Sequence, residues 1–153
     1  MSGGAQPSFT AFAALMFVAG MGIPLMATLN AGLGQHLQSP VAASTILFAL
    51  ALAVTAAILA LGGVPARAAF TGVPWYFYAG AVLVVFYLLS ITWTTPRIGV
   101  GNAVFFVLLG QLVAAAAIDH FGWFGAIRSE LTLRRVAGLA VMAIGVYLAR
   151  KPR

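Results

Sequence analysis

Five apolar runs, separated by short stretches of proline, glycine, serine and arginine, take up most of this chain. A helix rises 1.5 Å per residue, so about 20 apolar residues are needed to cross a hydrocarbon core of about 30 Å. Several of the runs approach or exceed that length: about 9–33, 40–61, 74–95 and 99–118. The fifth, about 133–149, has a continuous apolar stretch of only 14 residues, Val136 to Ala149. It spans only if Arg134, Arg135 and Arg150 reach back to the interfaces along their alkyl stems. The alternative is four spanning helices and a fifth lying on the surface. The expected fold is therefore an all-α integral membrane protein, a single transmembrane domain over residues 1–153 with five transmembrane helices.

Composition excludes the soluble alternative. The chain is 63% hydrophobic and 7% charged, where an ordinary soluble domain carries about 25% charged residues. No amphipathic face remains to meet water. The net charge of +6 comes from eight basic residues scattered singly or in short groups. Without a stripe or cluster they do not form a nucleic-acid footprint. They read as topology signals and lipid-phosphate contacts. Cysteine is absent, so neither a disulfide framework nor a thiolate metal site is available. The opening "MSGGAQPS" has no positive n-region, so the first run is expected to be a retained helix.

The breaks have local causes. Ser39 followed by Pro40 is a serine N-cap with proline at the first helical position. "GGVPARAAFTG" is a Gly/Pro/Ala loop. "PWYFY" opens the third segment, Trp93 closes it and Trp123 follows the fourth, which is the pattern of an interfacial aromatic belt.

Basic residues in short loops normally fix orientation. With five spans, one face holds Arg67, Arg128, Arg134 and Arg135, and the other holds Arg97, Arg150, Lys151 and Arg153. Four against four gives no bias. Such a chain is expected to insert both ways and to pair with its own inverted copy about an axis in the membrane plane. That antiparallel homodimer recreates the inverted repeat of many transporters. The alternative is that one orientation wins, for instance through the charges of the tail.

The stretches "NAGLGQHLQSPVAASTILF" and "GQLVAAAAIDHFGWFG" resemble the YdcZ-type family of the drug/metabolite transporter superfamily, small bacterial inner-membrane exporters of about five helices. The resemblance covers nearly the whole chain. It rests on Asn30, Leu33, Gly34, Ser39, Pro40, Ala42, Ala43 and Phe48, then on Pro74, Trp75 and Gly80, and on Pro96, Arg97 and Gly99. Its most specific segment is Gly110, Gln111, Asp119, His120, Phe121 and Gly122. Leu133, Arg134, Arg135, Gly138 and Gly145 follow in the last helix. Met26 departs from the family, standing where its first helix carries glutamine, and so do Leu47, Ala51 and Val84. The resemblance implies transport across the bacterial inner (plasma) membrane and supplies no substrate. The related small multidrug-resistance pumps carry a glutamate in their first helix. This chain has no carboxylate in the middle of any helix, so simple exchange of protons for cations at a central glutamate is not available.

Polar groups at membrane depth are costly unless paired, and mark functional candidates. Gln111 is the deepest strongly polar side chain, placed either for an interhelical hydrogen bond or for substrate contact. Asn102 lies nine residues earlier, about half a turn out of phase, and belongs to a helix start or an interface. Pro24 removes the helical bond to the Gly20 carbonyl, leaving an acceptor for a ligand or a plain kink. Gly22, Met26 and Asn30 recur every four residues and share one stripe. The substrate-pathway candidates are thus Gly20, Pro24, Met26, Asn30 and Gln111.

Asp119 and Glu130 are the only acids. Arg97 to Asp119 is 22 residues, roughly 33 Å of helix, so Asp119 is interfacial. It stands at a helix C-terminus, where the dipole disfavours a carboxylate, so an arginine from Arg128, Arg134 or Arg135 is expected to hold it. Asp119 reads as a latch to the fourth loop or, with His120 beside it, as a gate or proton-coupling site. In an inverted pair, Asn30 of one copy and Asp119 of the other reach the same membrane face. On the last helix, Gly138 and Gly145 share a stripe with Val141 between them, a close-packing surface expected to form the dimer contact.

Together these features predict a secondary transporter, an exporter of a small metabolite or drug-like compound by alternating access. The competing class is a non-transporting membrane interaction or assembly subunit. No nucleophile–base set or metal-ligand cluster points to an enzyme, and no cofactor, metal or nucleic acid is expected. The expected partners are the lipid bilayer, a small-molecule substrate and a second copy.

Overall fold

The computed structural model describes residues 8–149. The opening segment 1–7 and the tail charges Arg150, Lys151 and Arg153 lie outside the described residues.

Five α-helices form: α1 (Phe9–His36), α2 (Pro40–Gly62), α3 (Gly80–Ile98), α4 (Val100–Phe121) and α5 (Leu133–Ala149). Local chemistry sets their ends. Ser8 Oγ accepts from the Ala11 amide at 3.3 Å and starts α1. Ser39 Oγ accepts from the Ala42 amide at 3.1 Å, with Pro40 opening α2. Gly63, at φ 92°, ends α2 in a conformation open to glycine. The "PWYFY" stretch makes a 3-10 turn, Trp75–Ala79, that runs directly into α3. Gly99 at φ 85° separates α3 from α4, and Gly122 in the left-handed region closes α4 with its amide on the Ile118 carbonyl.

Pro24 lies inside α1 without ending it. Its carbonyl accepts from the Thr28 hydroxyl at 2.8 Å. Thr45 and Thr55 likewise bond the carbonyls of Val41 and Ala51, so these hydroxyls are satisfied within their own apolar helices.

Four helical stretches are long and apolar enough to cross a membrane: α1 with 28 residues, α2 with 23, Trp75–Ile98 with 24 and α4 with 22. Of the five expected spans, the fifth falls short of that standard. α5 has 17 residues, roughly 25 Å of helix.

The chain divides into two compact units at Arg97 and Ile98. In the first, burial is confined to one end: Ala27, Asn30, Ala31 and Gly34 of α1, Ala43 and Ser44 of α2, and Leu88, Ile91, Thr92 and Thr95 of α3. α1 is exposed throughout Phe9 to Ile23, and α2 from Ala49 onward. Small residues explain the packed end. Ala27, Ala31 and Gly34 recur at four and three residues and let neighbouring backbones approach. A Cβ on Gly34 would lie 3.2 Å from Thr92 Cγ2 and 3.4 Å from Pro40 Cα. In the second unit α4 packs against α5 and against a short 3-10 turn, Trp123–Gly125.

Candidate functional site

The packed end of the first unit is built around one amide. Asn30 is 3% exposed and comes from the small-residue face of α1. Its Nδ2 donates to Thr92 Oγ1 of α3 at 2.6 Å and makes a longer contact to Ser44 Oγ of α2 at 3.5 Å. Ser44 and Thr92 are each 2% exposed. An unpaired amide in an apolar interior costs several kcal/mol at the upper end of measured scales, so this cluster ties three helices together at one point. Nearby on α3, the Thr95 and Tyr87 hydroxyls are buried with no hydrogen-bond partner among the described residues.

Two cavities flank the cluster. One, of about 450 Å³, lies where the α1–α2 turn meets the end of α3; Thr92, Gly34, Gln35, Gln38, Trp93 and Arg97 are among its walls. The other, of about 460 Å³, is an apolar groove between α1 and α2 whose walls include Gly22, Met26, Asn30, Leu33 and Leu47. The hydrogen bond therefore joins a residue of the groove, Asn30, to a residue of the mouth cavity, Thr92. The four-residue stripe Gly22–Met26–Asn30 does line a single cavity, and Met26 and Leu47 keep it apolar.

The mouth is held by unusual local geometry. Gln38 adopts φ 52°, a region few non-glycine residues visit. Its Nε2 donates to the Gln35 carbonyl at 2.6 Å. The Arg97 guanidinium carbon lies 3.9 Å from the centre of the Trp93 ring, a cation–π arrangement. Its Nη1 also donates to the Trp93 carbonyl.

The second unit brings Asp119 and His120 together with the segment before α5. Arg135 Nη2 meets Asp119 Oδ2 at 2.5 Å, each side chain about one-third exposed at 32% and 35%. Of the three arginines considered for Asp119, Arg135 is the one in place. Its Nη1 also reaches the Ser129 carbonyl at 3.4 Å and Oγ at 3.3 Å. The Ser129 amide donates to the Asp119 carbonyl at 2.8 Å. His120 Nδ1 accepts from the Leu131 amide at 3.2 Å. The Asp119 side chain thus binds the first turn of α5, and the His120 ring binds the α4–α5 connection.

Other candidates stand apart. Gly20 is exposed, with nothing within 4 Å of where its Cβ would be. Pro24 is half-buried. Gln111 is exposed and makes no hydrogen bond among the described residues, so the interhelical bond considered for it is not formed there. Asn102 Nδ2 donates to the Ile98 carbonyl at 2.9 Å, across the first turn of α4. Gly138, Val141 and Gly145 are exposed, and nothing lies within 4 Å of a Cβ at either glycine. Ser44 and Thr92 were not among the sequence candidates. The signal for them is the small-residue stripe Ala27–Ala31–Gly34, which marks where helices come close enough for short hydroxyls to meet Asn30.

Among the described residues no group of three or more His, Asp or Glu side chains could hold a metal ion. A family model described as "Putative inner membrane exporter, YdcZ" matches residues 11–148. No curated protein and no solved structure matches the chain.

Proposed function

The chain belongs to the YdcZ family of inner-membrane exporters, a multi-pass membrane protein, and on that premise we propose that it is a secondary transporter working by alternating access. The observation that carries this reading is the buried Asn30–Ser44–Thr92 cluster standing between two cavities. In these apolar helices, a polar junction between an interfacial mouth and an apolar groove is where a substrate's polar group would exchange hydrogen bonds. The groove suits the apolar body of a small metabolite or drug-like compound.

The working unit in this reading is an inverted homodimer with α5 spanning. α5 is short but begins with Arg134 and Arg135, whose stems can snorkel. Its spanning leaves the basic residues at four on each face, Arg67, Arg128, Arg134 and Arg135 against Arg97, Arg150, Lys151 and Arg153. Were α5 to lie on the surface, the last three would join the first four, and seven would oppose Arg97 alone. The balance that permits dual insertion depends on α5 crossing.

The test is flux into vesicles containing the purified protein, against a panel of small metabolites and drug-like compounds, with and without a pH gradient. Saturable flux that falls in Asn30→Ala while the protein stays folded supports the transporter. Absence of flux across the panel, with a co-purifying membrane protein at fixed stoichiometry, supports an assembly subunit instead. The exposed faces of α1 before Pro24 and of α2 after Phe48 are the surface that second reading would use.

A further inference from the structure

The first unit contains no carboxylate. Residues 1–97 include Arg67, Arg97 and His36 but neither aspartate nor glutamate, and the chain's two acids are Asp119 and Glu130. A cationic group entering the mouth cavity would find no counter-charge on this unit. An anionic group would find Arg97.

Arg97 is prepared for one. The Trp93 ring supports its guanidinium from one side and the Trp93 carbonyl takes one N–H from Nη1. A guanidinium carries five N–H donors in a fixed fork, and the rest make no bond among the described residues. Two amides stand in the same cavity wall. The Gln35 side chain makes no hydrogen bond among the described residues, and the Gln38 Nε2 spends one hydrogen on the Gln35 carbonyl, leaving the other. Gln38 holds its left-handed backbone at that turn, a conformation costing on the order of 1 kcal/mol or more for a non-glycine residue. Thr92, on the cavity's inner side, connects the same space to Asn30.

We propose that this cavity is an oxyanion subsite, in which Arg97, assisted by the Gln35 and Gln38 amides, binds a carboxylate or phosphate group. Arg97 supplies the charge and the fork geometry that match such groups. Trp93 fixes the guanidinium so that little side-chain freedom is lost on binding. The anion is either the polar end of the transported solute or a lipid headgroup at the same depth. The first source rests on the transporter reading; the subsite itself does not. If the solute is the source, the substrate is an amphipathic organic anion, its acid group at Arg97 and its apolar body directed toward the Asn30 groove.

The experiment uses the full chain in a non-ionic detergent, with Trp75→Phe and Trp123→Phe leaving Trp93 as the reporter under Arg97. Acetate and inorganic phosphate are titrated at constant ionic strength in chloride, with choline as the cationic control. Short-chain phosphatidylglycerol is then compared with short-chain phosphatidylcholine. The expected result is a saturable change in Trp93 emission with the anions and none with choline. Arg97→Gln should weaken it about tenfold or more, as for a charged hydrogen bond. Gln35→Ala, a change at an exposed position, should weaken it about threefold, as for a neutral one. Response to acetate or phosphate identifies a solute anion; response to phosphatidylglycerol alone identifies a headgroup; either supports the subsite. No saturable response to any anion, an equal response to choline, or an unchanged response in both Arg97→Gln and Gln35→Ala overturns it. Binding without flux would sink the transporter reading alone, and flux without anion binding would sink the subsite alone.

Discussion

Asn30 and Thr92 are 62 residues apart in sequence and 2.6 Å apart at their polar atoms, and their hydrogen bond is where α1 is pinned to α3. Thr92→Val keeps the shape and removes the acceptor, leaving Asn30 with the 3.5 Å contact to Ser44. The expected cost is about 0.5–1.5 kcal/mol, read as thermal unfolding in detergent. Asn30→Ala should cost less in the Thr92→Val background than alone, because the two act as one unit. Substrate flux per folded molecule should also fall. A stability loss with unchanged flux would make the cluster structural only.

Gly34→Ala tests close approach at the same place. The new Cβ would stand 3.4 Å from Pro40 Cα and 3.2 Å from the Thr92 methyl. The Pro40 contact is ordinary van der Waals distance, but the Thr92 methyl must give by a few tenths of an ångström while its hydroxyl holds Asn30, so a cost toward the low end of about 1–3 kcal/mol is expected. The same change at Gly32, where a Cβ meets nothing within 4 Å, should be neutral or slightly stabilising. Equal behaviour of the two variants by thermal unfolding would contradict the packing described for the first unit.

At the other site, Arg135 does more than pair with Asp119, since it also holds Ser129. Arg135→Gln should therefore loosen the 126–132 segment more than Asp119→Asn, measured as amide exchange at Ser129 and Leu131. The ion pair is about one-third exposed, and its coupling should be within about 1 kcal/mol in a double-mutant cycle. His120→Phe should raise exchange at Leu131 alone, through loss of the Nδ1 acceptor. If Asp119→Asn leaves this segment protected but removes the pH dependence of flux, the residue is a coupling site rather than a latch.

The helices, their breaks and the Ser39–Pro40 start were legible because they rest on local chemistry: apolar run length, proline, glycine and a capping hydroxyl. The Asn30 cluster was only half legible. Asn30 stood out as polar in an apolar helix, but its partners lie 14 and 62 residues away. Nothing local separates Ser44 and Thr92 from Thr28, Thr45 and Thr55, whose hydroxyls bond their own helices. That distinction is made by packing, and the Ala27–Ala31–Gly34 stripe is its trace in the sequence. An arginine near Asp119 was legible from charge and helix polarity. Which of three arginines was decided by the turn that brings Arg135 back to α4. Gln111 looked deep enough to need a partner, and the described chain offers none, which places the answer outside a single copy's described contacts.

Orientation and α5 are tied by charge. With α5 across the membrane the faces carry four basic residues each; with α5 on the surface they carry seven and one. A single cysteine in the 63–73 loop, labelled by an impermeant reagent in intact and opened cells, should be accessible from both sides. Adding arginines at the amino terminus should then bias insertion and reduce activity when that form is expressed alone. One-sided labelling of the otherwise unmodified chain would remove the inverted homodimer and favour a surface-lying α5.

The dimer contact is expected on α5. Gly138 and Gly145 are seven residues apart, two turns along one stripe, and both are open to a neighbour, with nothing near a Cβ at either. Val141, 67% exposed, and Met142, 43% exposed, lie between them as apolar surface. In lipid there is no hydrophobic gain from hiding these side chains. Association must come from close backbone packing, which glycine permits and leucine blocks. Gly138→Leu with Gly145→Leu should split the dimer in detergent while leaving the monomer helical, since among the described residues nothing lies within 4 Å of a Cβ at either position. Val141→Cys should cross-link to its own copy. An assembly of unchanged size and stability in the double leucine variant, with no cross-link at position 141, would move the contact to another face, and the exposed amide of Gln111 on α4 would be the next place to put it.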